Sequence, residues 1–190
     1  MRRCKQCRIE IPRAAKCTDF ISKKGFCGID CATEWGKNAA ITKREREYRK
    51  SMVEAKERLK TRSDFANEAQ AAVNAYVRLR DENKPCISCQ RYHDGQYHAG
   101  HYRTRKAAPQ HRFNVLQIRK QCSACNNHLS GNITEFRINL VKLISAERVE
   151  QIENDNEIRR YDIDYLKRIK AVFKKRTNHL RRLRQCKQSN

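Results

Sequence analysis

Proline and glycine are scarce, three and six in 190 residues, and aromatic residues make up only 7% of the chain. So few chain breakers and so few large rings argue against a thick core and for solvated helix. Hydrophobic content is 38%, which favours small units held by staples, in one ordinary domain or two small ones. Long apolar runs are missing as well: no segment approaches the ~18 apolar residues of a membrane span. The opening "MRRCKQCRIE" has no apolar stretch of the kind that heads a secretory signal. Acids are also in short supply, 21 against 43 Lys and Arg, for a formal charge of +22. That excess repels itself unless a polyanion is present, and nucleic acid is the polyanion whose binding releases condensed counterions. A membrane surface fits less well, because the basic segments carry few bulky apolar residues for insertion.

What the chain does have is cysteine, ten in all. Cysteines paired as CxxC in a chain without a secretion signal read as metal ligands, which places the protein in a reducing cytoplasm. Residues 1–33 hold Cys4-x-x-Cys7 and Cys27-x-x-x-Cys31 around a short segment. Four thiolates at this spacing fit one tetrahedral Zn²⁺, since so short a segment cannot bury a core without a metal. Cys17 and Cys186 stand outside any such pairing.

Residues 34–62 carry several acid–base pairs three or four apart and no continuous apolar stripe, the pattern of a basic helical arm. Ser63 and Asp64 offer an N-cap for a stronger helix whose Phe65, Ala69, Ala72, Val73, Tyr76 and Leu79 share one face. That helix opens a module spanning 63–145, closed by the stripe Phe136, Leu140, Val141 and Ile144. Residues 146–190 continue as basic helices, with Val149 and Ile152 and then Ile163, Leu166, Ile169, Phe173, Leu180 and Leu183 at helical spacing. The expected fold is α+β and mostly helical.

At the centre, Cys86-x-x-Cys89 and Cys122-x-x-Cys125 predict a second Zn²⁺. The 32 residues between the pairs exceed the loop of a simple zinc ribbon, so something is inserted. The insertion contains a His-rich strand candidate, "RYHDGQYHAGHYR", with Asp94-Gly95 as a turn. A loop with Pro109 follows, then a second strand candidate, "FNVLQIRK", and a possible helix start at "NNHLSGN". A hairpin followed by a helix and clamped by four cysteines makes a ββα unit with zinc at its base.

This arrangement resembles the HNH, or ββα-metal, nucleases, particularly those with two CxxC pairs such as phage recombination endonuclease VII. "AVNAYVRLRDENKPCISCQ", "AGHYRTRKAAPQHRFN" and "KQCSACNNHLSGN" look like the NinG or Rap proteins of lambdoid phages, and the likeness extends to the N-terminal knuckles and the basic arm. The resemblance implies a metal-dependent endonuclease that cleaves branched recombination intermediates, Holliday junctions and D-loops, in the bacterial cytoplasm alongside phage recombination proteins. It implies that His101 is the general base, suited to the task by a pKa near neutrality. It implies that His98 and Asn126 hold a catalytic Mn²⁺ or Mg²⁺, with His128 as a further ligand or phosphate donor. Arg103, Arg105, Lys106 and Arg119 become candidates to contact DNA phosphates.

Two positions depart from the family pattern. Where its middle Asn falls, this chain has Gln117, with Asn114 three residues earlier; either amide can orient His101. At position 98 the pattern has an acid and this chain has His, so unless Asp94 folds back the site lacks a carboxylate and favours Mn²⁺, Co²⁺ or Ni²⁺ over Mg²⁺. His93, His111 and His179 read as surface or structural residues. The competing readings are a non-catalytic zinc-stapled DNA-binding recombination protein and an RNA-binding zinc protein. Symmetric resolution of a junction needs two cuts, which makes a homodimer the expected form.

Overall fold

The computed structural model describes residues 2–11 and 24–188, which leaves Cys17 outside the described residues. The chain divides into two compact units, Met1–Lys60 and Thr61–Asn190.

In the first unit the Cys4 amide donates to the Ile9 carbonyl and the Arg8 amide to the Cys4 carbonyl, closing a tight knuckle with Arg8 at φ 66°. Helix α1, Ile29–Arg58, follows. It begins before residue 34, so Cys31 sits in its first turn, and it buries no residue among its thirty. Exposed i,i+4 pairs such as Lys43–Glu47 and Lys50–Glu54 accompany it, as the sequence pattern predicts.

The second unit opens with α2, Arg62–Arg80. Its N-cap is Thr61, not the expected Ser63–Asp64. The Thr61 hydroxyl accepts from the Asp64 amide while the Asp64 carboxylate accepts from the Thr61 amide. This reciprocal pairing satisfies two end donors at once, which a cap two residues later cannot do. Strands β1, Tyr97–His101, and β2, Ile118–Cys122, form an antiparallel pair in which His98 faces Gln121, Gly100 faces Arg119 and His101 faces Ile118. The strands are shorter than expected, and the second starts later than "FNVLQIRK" suggests. Asp94-Gly95 lies ahead of β1, and the hairpin connection is the loop 102–117 with a 3₁₀ turn at Pro109–His111. A five-residue π-helical turn, Ala124–His128, leads to α3, Ile133–Ile144, then α4, Ala146–Asn154, and α5, Ile163–Gln188.

Two clusters hold the hairpin. Phe65, Ala69, Val73 and Val77 of α2 meet Ile118 of β2 and Leu166 and Phe173 of α5. Ile87, Tyr102, Phe136, Leu140 and Val149 form the second cluster with α3 and α4. Each large side chain fully buried here contributes about 1.5–3 kcal/mol. Through Leu166 and Phe173 of α5, the basic helices of residues 146–190 share the first cluster with the hairpin. Ile163 and Leu183, expected on the apolar stripe, are exposed, and Thr177 occupies the buried face instead. No helix among the described residues is long and apolar enough to cross a membrane.

Candidate functional site

Two tetracysteine groups can hold structural metal ions such as zinc: Cys4, Cys7, Cys27 and Cys31, and Cys86, Cys89, Cys122 and Cys125, with the sulfurs of each within 4.8 Å of one another. Four thiolates at 2.3 Å from a tetrahedral Zn²⁺ lie ~3.8 Å apart. The Cys89–Cys122 separation is 4.0 Å and the Cys7–Cys27 separation 3.5 Å, so both groups fit the ion. The second knuckle repeats the first: the Cys86 amide donates to Arg91, the Gln90 amide to Cys86, and Gln90 stands at φ 55°. Amides aim at the sulfurs, Cys122 N at Cys86 Sγ and Cys125 N at Cys122 Sγ, the usual outer support of a metal ligand. Burial raises the Cys89 thiol, but the His93 ring at 3.2 Å and the Arg91 amide outweigh it and bring the pKa to about 6. Burial and Cys122 push Cys125 up to about 12. Cys125 thus holds its proton until a cation arrives to take the charge.

The second cysteine group fixes one end of the hairpin, and a cleft of about 360 Å³ opens along β1. Its walls include His98, His101, Arg105 and Asn126. Four residues named from the sequence thus come together in one place. Nε2 of His98 is buried and has no hydrogen-bond partner among the described residues. Nε2 of His101 lies 3.1 Å from the Arg112 carbonyl; a carbonyl only accepts, so this nitrogen carries the proton and Nδ1 keeps the lone pair. Burial holds the His101 pKa below the ordinary 6.5, against the raising effect of the Arg112 and Ala99 carbonyls, and the Arg105 and Arg112 charges lower it further. The ring is therefore neutral at physiological pH. The π-helical turn, with Leu129 N donating to Ala124 O, widens the chain at Asn126, which lines the cleft and donates from Nδ2 to Asn127 Oδ1 at 2.6 Å.

Gln117 and Asn114 hold different parts of the loop. Gln117 is fully buried, accepts from the Arg103 amide at 2.8 Å and donates to the His111 carbonyl at 2.9 Å, so it ties together the loop that carries Arg112. Asn114 turns inward on its own loop, to His111 Nδ1 and the Leu116 amide.

Other expected residues lie elsewhere. His128 is exposed and outside the cleft walls, and Asp94 is exposed beyond them too, so no carboxylate among the described residues lines the cleft. The Arg103 guanidinium binds the carbonyls of Ile152, Glu153 and Asp155 and the Asn156 side chain, satisfying end carbonyls of α4 rather than standing free for DNA. Arg119 is buried and borders a different pocket. Lys106 is exposed on the loop. Asn74, Arg78, Thr104 and Gln121 line the cleft without having been singled out. Asn74 and Arg78 are four apart on α2, so they share a face, but only the packing of α2 beside β1 shows which face that is. Gly100 has a steric reason: a Cβ there would lie 2.1 Å from Oε1 of Gln121, which is pinned by Ser88 and Gly131.

Comparison with known proteins follows the same lines. The family model described as Bacteriophage Lambda NinG protein matches residues 1–184. The chain belongs to the NinG family. Protein ninG of Escherichia phage lambda is 46% identical over 126 residues, 66% of this chain and 62% of that protein. Protein ninG of Enterobacteria phage H19B is 42% identical over 172 residues, 81% of this chain and 86% of that protein. The match to the lambda relative thus spans less than two thirds of its length. No solved structure matches the chain. Within this NinG family member Asn126 of the cleft follows directly on Cys125 of the second cysteine group.

Proposed function

We propose that this protein is a metal-dependent DNA endonuclease of phage recombination that hydrolyses phosphodiesters in branched DNA. The observation that carries the reading is the pairing, in one cleft, of His101, tethered through Nε2 to the Arg112 carbonyl, with His98, whose buried Nε2 has no hydrogen-bond partner among the described residues.

His98 and Asn126 would hold the divalent ion, and an imidazole with an amide oxygen suits Mn²⁺, Co²⁺ or Ni²⁺ better than Mg²⁺. When bound, such an ion polarises the phosphate and stabilises the departing oxygen. His101 takes the proton of the attacking water through Nδ1, while its Nε2–H stays on the Arg112 carbonyl and fixes the ring. Arg78 and Arg105 line the same cleft and, with no carboxylate among the described residues of its walls, favour the phosphate backbone. The excess of 43 basic over 21 acidic residues draws the DNA in. A homodimer places two such clefts on the two strands of a four-way junction.

The test is cleavage of a labelled four-way junction and a matched duplex in Mn²⁺ and in Mg²⁺. Wild type is expected to cut the junction, faster in Mn²⁺, and His101→Ala to bind it but cut at least about a hundredfold more slowly. A wild-type protein that binds junctions without cutting them in any metal is the non-catalytic DNA-binding protein instead. Undiminished cutting by His101→Ala removes that residue as the base.

A further inference from the structure

A second pocket, of about 230 Å³, takes its strand residues Arg119 and Lys120 from β2 and shares no residue with the His98 cleft. Four cations, Lys84, Arg119, Lys120 and Lys142, and one carboxylate, Asp81, border it. The carboxylate is already engaged: Arg80 donates to it at 2.9 and 2.5 Å, and Lys84 lies 3.2 Å away. Lys120 is engaged too, with Nζ donating to the Glu82 carbonyl and lying 3.9 Å over the Tyr97 ring.

Arg119 is different. It is only 8% exposed, its Nε donates to the Leu116 carbonyl, and neither Nη makes a hydrogen bond among the described residues. Burial, then the neighbouring Arg80, lower its pKa to about 10, so it remains cationic at neutral pH. Asp81, already held by Arg80 and Lys84, only partly offsets the Arg119 charge, and the two Nη groups match two oxygens of a tetrahedral anion. Pro85, Ile87 and Leu143 give the pocket an apolar wall. The volume falls below the ~300 Å³ at which drug-sized sites begin, which leaves room for a phosphoryl group and a sugar but not a base pair.

We infer that this pocket binds a phosphoryl group, held by the Nη atoms of Arg119 and closed at the rim by Lys84 and Lys142. The inference does not depend on the nuclease reading. The same chemistry can come from the DNA backbone, from a 5′-terminal phosphate or from free phosphate.

The test uses the full-length, zinc-loaded protein with labelled Ile and Leu methyl groups, titrated with inorganic phosphate at constant ionic strength. The Ile87 and Leu143 methyl signals are expected to shift saturably, with affinity falling about tenfold in the double variant Lys84→Gln, Lys142→Gln and in Arg119→Lys. Oligonucleotides with and without a 5′-phosphate then identify the source. Stronger displacement of phosphate by the phosphorylated strand points to a terminal phosphate, equal displacement to the backbone, and displacement by neither to the free ion. No saturable shift, equal shifts with chloride, or undiminished affinity in the double variant overturns the inference. The rim lysines extend into solvent, so that variant keeps the test open even where Arg119→Lys fails to fold.

Discussion

Replacing Gln117 with leucine tests whether this amide holds the hairpin loop in place. The side chain is fully buried and makes two hydrogen bonds to backbone groups near the start and in the middle of the loop, Arg103 N at 2.8 Å and His111 O at 2.9 Å. Leucine fills nearly the same space, so no large cavity opens, but a buried N–H and a buried C=O lose their partners. At about 1–3 kcal/mol for each stranded group, the expected loss is about 3 kcal/mol. For a unit the size of Thr61–Asn190 this lowers the melting temperature by roughly 10 °C. The assay is thermal unfolding of the full-length, zinc-loaded protein, paired with hydrogen exchange at the Arg103 amide, which should speed up. Asn114→Ala serves as the comparison: its bonds lie within its own loop and water can replace them in part, so a loss of about 1 kcal/mol is expected. The reasoning fails if Gln117→Leu melts within about 2 °C of wild type, or if Asn114→Ala is the more damaging change.

Two further outcomes follow from the cysteine groups and the buried histidines. Native mass spectrometry should count two zinc ions per chain, and Cys4→Ser should remove one while leaving the melting of the Thr61–Asn190 unit unchanged; loss of both ions would mean the groups are not independent. Burial depresses the His111 pKa, more than Asp155 raises it, so the folded state takes up its proton at lower pH than the unfolded chain. Its contribution is therefore complete above the ordinary pKa of 6.5 and declines as pH falls below it, and His111→Gln should lose less stability than wild type between pH 7.5 and 5.5; parallel melting curves would refute this.

Much of the secondary structure was legible because its signals are local. Of the stripe Phe136, Leu140, Val141 and Ile144, the first two are buried and the last two are half-buried against them, while Val149 and Ile152 are buried in turn, and the cysteine pairs carry the geometry of a knuckle in four residues. The errors fall where a distant partner decides. Thr61 caps α2 because Asp64 reaches back to its amide, a competition with Ser63 that composition does not settle. The strands begin and end where α2, α5 and the cysteine group pin Ile118 and Cys122, and β-propensity alone drew them too long.

The sequence by itself determined the chemical inventory: eight cysteines in two quartets, a strong positive excess, and two histidines three apart in the inserted segment. Residue type and short spacing are enough for that, since a ligand's chemistry does not depend on the rest of the chain. Only the tertiary structure decided how the polar residues are used. Arginines 103, 105 and 119 look alike in the chain, yet one caps α4, one lines the cleft and one is buried with its Nη atoms unpaired. Gln117 and Asn114 likewise look alike in the chain, yet one bonds Arg103 and His111 and the other His111 and Leu116. Long side chains find their partners across 14 to 52 residues of chain, a separation that packing alone brings within hydrogen-bond reach.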